Sequence, residues 1–179
     1  MQGEIKSEIK SEIKSEIHQS MIRDPIYGDV LIPPDVRSLI DTRSFQRLRY
    51  IQQLATCHFA FPSATHTRFA HSVGAFHLAG QLTSHLQRLY PGVISDLDAK
   101  LVTYGALLHD VGHPPMSHSL ETPEVFATYM SHERWGKRLL LDPEGDLRGA
   151  VTREVGEEGL ERLVAILEGR VSLPALHEI

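Results

Sequence analysis

The amino-acid sequence predicts an all-α protein, a helical bundle with at most a small β element near residues 26 to 32. Three observations carry this expectation. From His66 to Tyr90 the apolar residues Phe69, Val73, Phe76, Leu82, Leu86 and Leu89 recur at helical spacing until Pro91-Gly92 stops them. Ser95-Asp-Leu-Asp98 then opens a second helix as a capping-box variant, and that helix runs to His109-Asp110. Only Ile22 to Ile32, with Pro25, Gly28 and several β-branched residues, suggests a short extended or hairpin element.

The remaining elements follow in order. Residues 3 to 18 repeat a tetrapeptide, Glu-Ile-Lys with a small residue, which puts Ile5, Ile9, Ile13 and Ile17 on a slowly drifting helical stripe. The segment is either a pairing helix or a low-complexity extension, so 1–20 is set apart from a single domain over 21–179. After Pro33-Pro34, Asp35 is expected to cap a helix with Val36, Leu39 and Ile40 inside. Asp41-Thr42 marks a second start, and Phe45, Leu48, Ile51 and Leu54 recur every three residues down one side. His58 to Ser63 reads as a loop. Helical spacing resumes from Glu121 to Leu141. Residues Asp142 to Gly159, rich in glycine and charge, read as a mobile loop with strand character at Val151 to Val155, before a last amphipathic helix from Glu161 to Glu168.

Chemistry concentrates between Gly105 and Glu121. An apolar helix stops at the adjacent pair His109-Asp110, and His113, His118 and Glu121 follow within eleven positions. Imidazole nitrogen with carboxylate oxygen suits a borderline to hard divalent cation: Mn, Fe, Zn or Mg. Adjacent residues on a regular helix point about 100° apart, so the two can share an ion only where the helix ends. Gly112 and Pro114-Pro115 supply that end. The competing reading makes His109 a core histidine and Asp110 a helix-end carboxylate held by an arginine. With 11 histidines in 179 residues, chance gives about one i, i+4 pair, so the His109/His113 spacing means little by itself.

Composition excludes several classes. With 41% hydrophobic and 23% charged residues the chain is ordinary for a globular domain. No apolar run reaches the length of a membrane span, and the N-terminus lacks the apolar region of a signal peptide, so a cytoplasmic protein is expected. The single Cys57 excludes an internal disulfide. A net charge of −5 disfavours a general nucleic-acid surface, although Arg37, Arg43, Arg47 and Arg49 fall close enough for a local basic patch.

Upstream of the His-Asp pair lies Arg68-Phe-Ala-His-Ser-Val-Gly74. With Asp24-Pro-Ile-Tyr-Gly-Asp29, Phe45-Gln-Arg-Leu-Arg-Tyr-Ile-Gln-Gln-Leu54 and His109-Asp-Val-Gly-His-Pro-Pro-Met-Ser-His118, it forms four blocks in order over Asp24 to Trp135. The chain thereby resembles the HD superfamily of metal-dependent phosphohydrolases, in particular its deoxynucleoside triphosphate triphosphohydrolase branch. The resemblance implies an HD-domain helical bundle that binds a divalent metal ion through His71, His109 and Asp110. It implies Arg68 on a substrate phosphate, Gln53 on the substrate sugar, and His113, His118, His132 and Glu121 as acid/base candidates, His118 first among them. In an animal member, positions matching Asp41, Gln46 and Arg49 contribute to a guanine-nucleotide regulatory site, which also needs an oligomer.

The family's fourth ligand is an Asp well downstream, whereas no Asp follows Asp146 here and neither Asp142 nor Asp146 has a matching context. A domain incomplete at its C-terminus is expected, either a fragment or shortened copy or a site completed by a neighbouring chain. The implied reaction is hydrolysis of a deoxynucleoside triphosphate to deoxynucleoside and triphosphate, in a homo-oligomer. The alternatives are an HD phosphohydrolase acting on other nucleotides and a catalytically impaired domain serving nucleotide binding or oligomerisation. Nucleic-acid binding is a third class.

Overall fold

A computed structural model describes residues 20–116 and 130–170. The Ile-spaced repeat, His118, Glu121 and the segment from residue 171 onward lie outside the described residues.

The chain enters through an antiparallel hairpin, β1 (Ser20–Asp24) paired with β2 (Gly28–Ile32) in a register that sets Ser20 opposite Ile32 and Asp24 opposite Gly28. Asp24 Oδ1 accepts the N–H groups of Ile26 and Tyr27 at 2.8 and 3.0 Å, and Gly28 takes a positive φ of 73° to close the turn. Helix α1 (Pro34–Ile40) buries Val36, Leu39 and Ile40 as expected. Asp35 is not its cap, because the cap position falls on Pro33 and no side chain serves there. The Asp35 carboxylate turns away, accepting the Tyr104 hydroxyl at 2.8 Å and pairing with Lys100 at 3.1 Å.

Thr42 does start α2 (Arg43–Gln46), accepting the Phe45 N–H at 3.3 Å. The chain then tightens into a 3₁₀ turn over Arg47–Tyr50. A three-residue period belongs to that tighter helix, which is why Phe45, Leu48 and Ile51 are all buried. Leu54 is the correction: the turn ends before it, and it stands 45% exposed.

Helix α3 (Arg68–Leu89) is capped by Thr67, and α4 (Asp96–Leu108) by Ser95, whose hydroxyl accepts the Asp98 N–H at 3.1 Å. The short connection folds α4 back along α3. Phe69, Val73 and Phe76 enter the core, but Leu82 and Leu89 remain 56% and 57% exposed, on a face no described element covers. Helix α5 (His132–Leu141) follows.

The expected loop over Asp142 to Gly159 is instead mostly helix, α6 (Asp146–Leu167). Leu147, Ala150, Val151, Leu160, Leu163 and Val164 form one buried face, and their burial outweighs the low helix propensity of Gly149, Gly156 and Gly159. Gly156 alone breaks the ladder, at φ 72°, so two helical segments share one core face across a kink. Against Gly105 of α4, Leu163 and Ile166 of α6 approach to 3.8 and 3.7 Å of where a Cβ would stand. The architecture is all-helical with one small hairpin. Among the described residues, no helix is long and apolar enough to cross a membrane.

Candidate metal centre

The site forms where the start of α3 meets the end of α4. Thr67 fixes the first turn of α3 by accepting the Ala70 N–H at 3.3 Å, which places Arg68 and His71 one turn apart. Helix α4 ends at Leu108. Beyond it, Val111 N–H donates to the Leu108 carbonyl at 3.0 Å and His113 N–H to the Asp110 carbonyl at 3.1 Å. The α-helix thus ends at this point, and the side chains of the adjacent His109 and Asp110 turn toward one another's ligand atoms.

His71, His109 and Asp110 do converge. The Nε2 atoms of His71 and His109 stand 3.1 Å apart, His109 Nε2 lies 3.4 Å from Asp110 Oδ1, and His71 Nε2 lies 3.8 Å from Asp110 Oδ2. Ligands about 2.1 Å from one ion, at angles between square and tetrahedral, stand roughly 3.0 to 3.4 Å from each other, so the set fits a divalent cation. The tautomer agrees. His109 Nδ1–H donates to the Ala106 carbonyl at 2.8 Å, which leaves the Nε2 lone pair facing His71.

The electrostatics favour the same species. Burial pushes the Asp110 carboxyl up, but the hydrogen bond from His113 and the charges of His109 and Arg68 more than offset it, holding Asp110 below the usual carboxylate range. Burial lowers the pKa of His71, against the attraction of Asp110. An ionised carboxylate beside an imidazole whose proton is disfavoured suits metal binding. Both histidines remain partly open to solvent while Asp110 is buried, so one face of the group is accessible.

The profile of the HD domain family matches residues 68–165, more than half of the chain. The chain belongs to the HD domain family. Among characterised relatives, the deoxynucleoside triphosphate triphosphohydrolase SAMHD1 of Bos taurus is 44% identical over 102 residues, covering 56% of this chain and 17% of that protein. Its Dictyostelium discoideum homolog is 41% identical over 103 residues, 57% of this chain and 20% of that one. A hypothetical protein of Aquifex aeolicus matches in three dimensions with a TM-score of 0.70 at 34% identity, over 86% of this chain and 38% of the other. The chain thus spans about a fifth of the length of these two triphosphohydrolases.

Within this HD domain, Asp110 also belongs to a second group with His113 and His132. The two rings stack with centroids 3.7 Å apart and planes 14° from parallel, and His113 Nε2 lies 3.4 Å from Asp110 Oδ1. Ring lone pairs lie in the ring plane, so parallel rings direct theirs side by side and share one ion poorly. His113 is 1% exposed, and burial lowers its pKa.

Arg68, expected on a phosphate, is buried with Nη1 donating to Asp110 Oδ2 at 2.5 Å. It therefore holds the Asp110 carboxylate in place. Its Nη2 also reaches the Gln53 carbonyl at 3.5 Å, which ties Gln53 to the site. The Gln53 side-chain Oε1 is buried with no hydrogen-bond partner among the described residues, an acceptor suited to a ligand hydroxyl. The two carboxylates considered for a fourth ligand have other work. Asp146 accepts from Arg43 N–H at 2.5 Å and Ser44 Oγ at 2.8 Å, and Asp142 accepts from Glu144 N–H at 3.1 Å.

The basic patch does not form as expected. Arg37 pairs with Asp41 at 3.2 Å, Arg49 lies 3.6 Å over the Phe69 ring with its Nε on Gln46 Oε1, and Arg47 turns inward. Arg47, grouped in the sequence with that patch, instead has its guanidinium on the Val111 and His113 carbonyls. Gly112 also does more than end a helix: a Cβ there would stand 1.9 Å from the His132 carbonyl oxygen and 2.3 Å from the Gly136 nitrogen. No sequence pattern marks backbone carbonyls as partners, so neither contact was legible beforehand.

Proposed function

We propose that this HD domain is a metal-dependent phosphohydrolase that cleaves deoxynucleoside triphosphates to deoxynucleoside and triphosphate. The observation that carries the proposal is the convergence of His71, His109 and Asp110 on one point, beside the stacked rings of His113 and His132. The substrate class is drawn from the relatives named above. Two nitrogen donors and one carboxylate suit Mn, Fe or Zn better than Mg.

A divalent ion held by these three residues supplies a Lewis acid that polarises a phosphoryl oxygen and lowers the pKa of a water molecule. The chain's own groups do the rest. Arg68 fixes the Asp110 carboxylate by hydrogen bonding and adds positive charge where phosphate charge gathers. The water oxygen forms a bond to the α-phosphorus, the bond from phosphorus to the sugar 5′-oxygen breaks, and a proton from the acid passes to that oxygen. His113 and His132 serve as donors among the described residues, with His118 and Glu121 as further candidates from the segment outside them. Gln53 Oε1 accepts a sugar hydroxyl.

One observation favours a second reading. Among the described residues the group contains a single carboxylate, so the ion's charge is only partly compensated. A domain that binds a nucleotide without turning it over, alone or as an oligomer, follows from that.

The test is metal content of the purified chain together with triphosphate release from deoxynucleotides in Mn, for the wild type and the double variant His109→Ala, Asp110→Ala. Bound metal and triphosphate release, both lost in the variant, support hydrolysis. Nucleotide binding without release supports the binding module, and release of phosphate from a monophosphate alone redirects the substrate class.

A further inference from the structure

Arg47 sits in the 3₁₀ turn after α2, more than sixty positions from the loop it touches. Its Nη1 donates to the His113 carbonyl at 2.6 Å and its Nη2 to the Val111 carbonyl. Both carbonyls lie beyond the end of α4, where no following turn of helix can satisfy them. A planar guanidinium presents two donors in a fixed fork, so it sets the spacing of the two carbonyls as well as binding them.

No carboxylate pairs with Arg47 among the described residues. A half-buried cation matched only by neutral carbonyls is an unfavourable arrangement, and burial lowers the pKa of the group accordingly. What the guanidinium supplies in return is the geometry it imposes on the two carbonyls.

That geometry bears on His113. Gly112 also lies against the first turn of α5, with so little room that any Cβ would meet the His132 carbonyl. The loop is held by both the Arg47 fork and α5, and in this position the His113 ring stacks on His132 and faces Asp110. The metal-ligand group has other supports. His71 stands on α3, His109 is fixed by the Ala106 carbonyl, and Asp110 is held by Arg68.

We infer that Arg47 is a positioning residue for the His113–His132 pair, acting through the 111–113 backbone and leaving the metal ligands to their own supports. This rests on the proposed phosphohydrolase reading for its kinetic consequence but not for its structural one.

The test compares wild type with Arg47→Ala and Arg47→Lys in the full chain. In Arg47→Ala, kcat for triphosphate release falls about 30-fold, in the range seen when a residue that orients a reacting group is lost, while KM and the Mn affinity measured by calorimetry stay within about 3-fold. Free guanidinium ion added to the Ala variant recovers part of kcat. The Lys variant stays low, because an ammonium is a point donor without the fork. An unchanged kcat, or Mn affinity falling in step with kcat, overturns the inference, since a general fold staple would disturb both.

A second readout is independent of turnover. In nuclear magnetic resonance spectra, the proton–proton contact between the His113 and His132 rings is expected in the wild type and lost in Arg47→Ala, with the His71 and His109 ring signals unmoved. Persistence of that contact overturns the inference even if the wild type hydrolyses nothing, whereas absence of turnover and of Mn binding in the wild type defeats only the proposed function.

Discussion

Helix α4 carries two polar clusters little more than a turn apart, and they close in different ways. At Lys100 and Tyr104 every contact joins a donor to an acceptor: the phenol donates to Asp35 at 2.8 Å, and Lys100 reaches Asp35 at 3.1 Å and Glu154 at 3.8 Å. At the helix end, two imidazole nitrogens face each other at 3.1 Å beside a carboxylate. The first cluster ties α1 and α6 to α4 and is complete in protein atoms. The second gathers lone pairs that a cation would complete.

The two carboxylates themselves do not reveal this difference. Asp35 and Asp110 are each pushed up by burial, and each is held below its ordinary pKa nonetheless, Asp35 by Tyr104 and Lys100 and Asp110 by His113, His109 and Arg68. A depressed carboxyl pKa therefore fails to separate a site from a structural staple. What separates them is that two ring nitrogens and a carboxylate oxygen converge on one point in the second cluster, in a set that could hold a cation.

Asp110→Asn puts the largest strain on that distinction. It removes the carboxylate that this group contains among the described residues, and with it the carboxylate that pairs with buried Arg68. The expected result is at least about a hundredfold loss of Mn affinity and about 3 kcal/mol lower stability, read by calorimetry and urea unfolding. A variant that kept both would reduce the second cluster to another staple.

Gly112→Ala comes next. Its Cβ would overlap backbone atoms of α5, the His132 carbonyl at 1.9 Å and the Gly136 nitrogen at 2.3 Å, and backbone yields less readily than the end of a side chain. Overpacking of this kind costs about 2 kcal/mol. The loss should appear in the urea midpoint and in the His113–His132 ring contact, with Mn affinity unchanged. Tyr104→Phe is milder. It removes one hydrogen bond to Asp35 and costs about 1 kcal/mol, again without effect on Mn binding, because Tyr104 is no member of the ligand group.

These contrasts also mark what the sequence could and could not reveal. The α3–α4 pair and the meeting of His71, His109 and Asp110 were legible, since apolar spacing located both helices and the His-Asp break located the point where they meet. Helix α6 was not. Gly149, Gly156 and Gly159 suggested a loop, but a buried face of Leu147, Val151, Leu160 and Leu163 outweighs them, and only Gly156 actually leaves the helix. Arg47 was misplaced for a different reason. Its period puts it among solvated arginines, and the carbonyls that draw it inward belong to a loop distant in sequence. Arg68 shows the same limit in a milder form: its turn of α3 was right, but its partner proved to be Asp110.

The smallest effect is one of pH, and it completes the comparison. Because the folded pKa of Asp35 lies below its unfolded value, ionised Asp35 stabilises the fold fully above the unfolded value, and that contribution is lost as pH falls through the folded one. Asp35→Asn should therefore be less stable than wild type near neutrality by about 1 kcal/mol or less, with the gap narrowing through the acid range until both unfold alike. Urea unfolding of both proteins across that range measures the difference, and a gap that stayed constant would mean that packing, not charge, holds α1 to α4. Adding Mn at neutral pH sharpens the result. The ion should raise the stability of Asp35→Asn by as much as it raises the wild type, because mass action on the folded state depends only on the ligand group, which this substitution leaves intact.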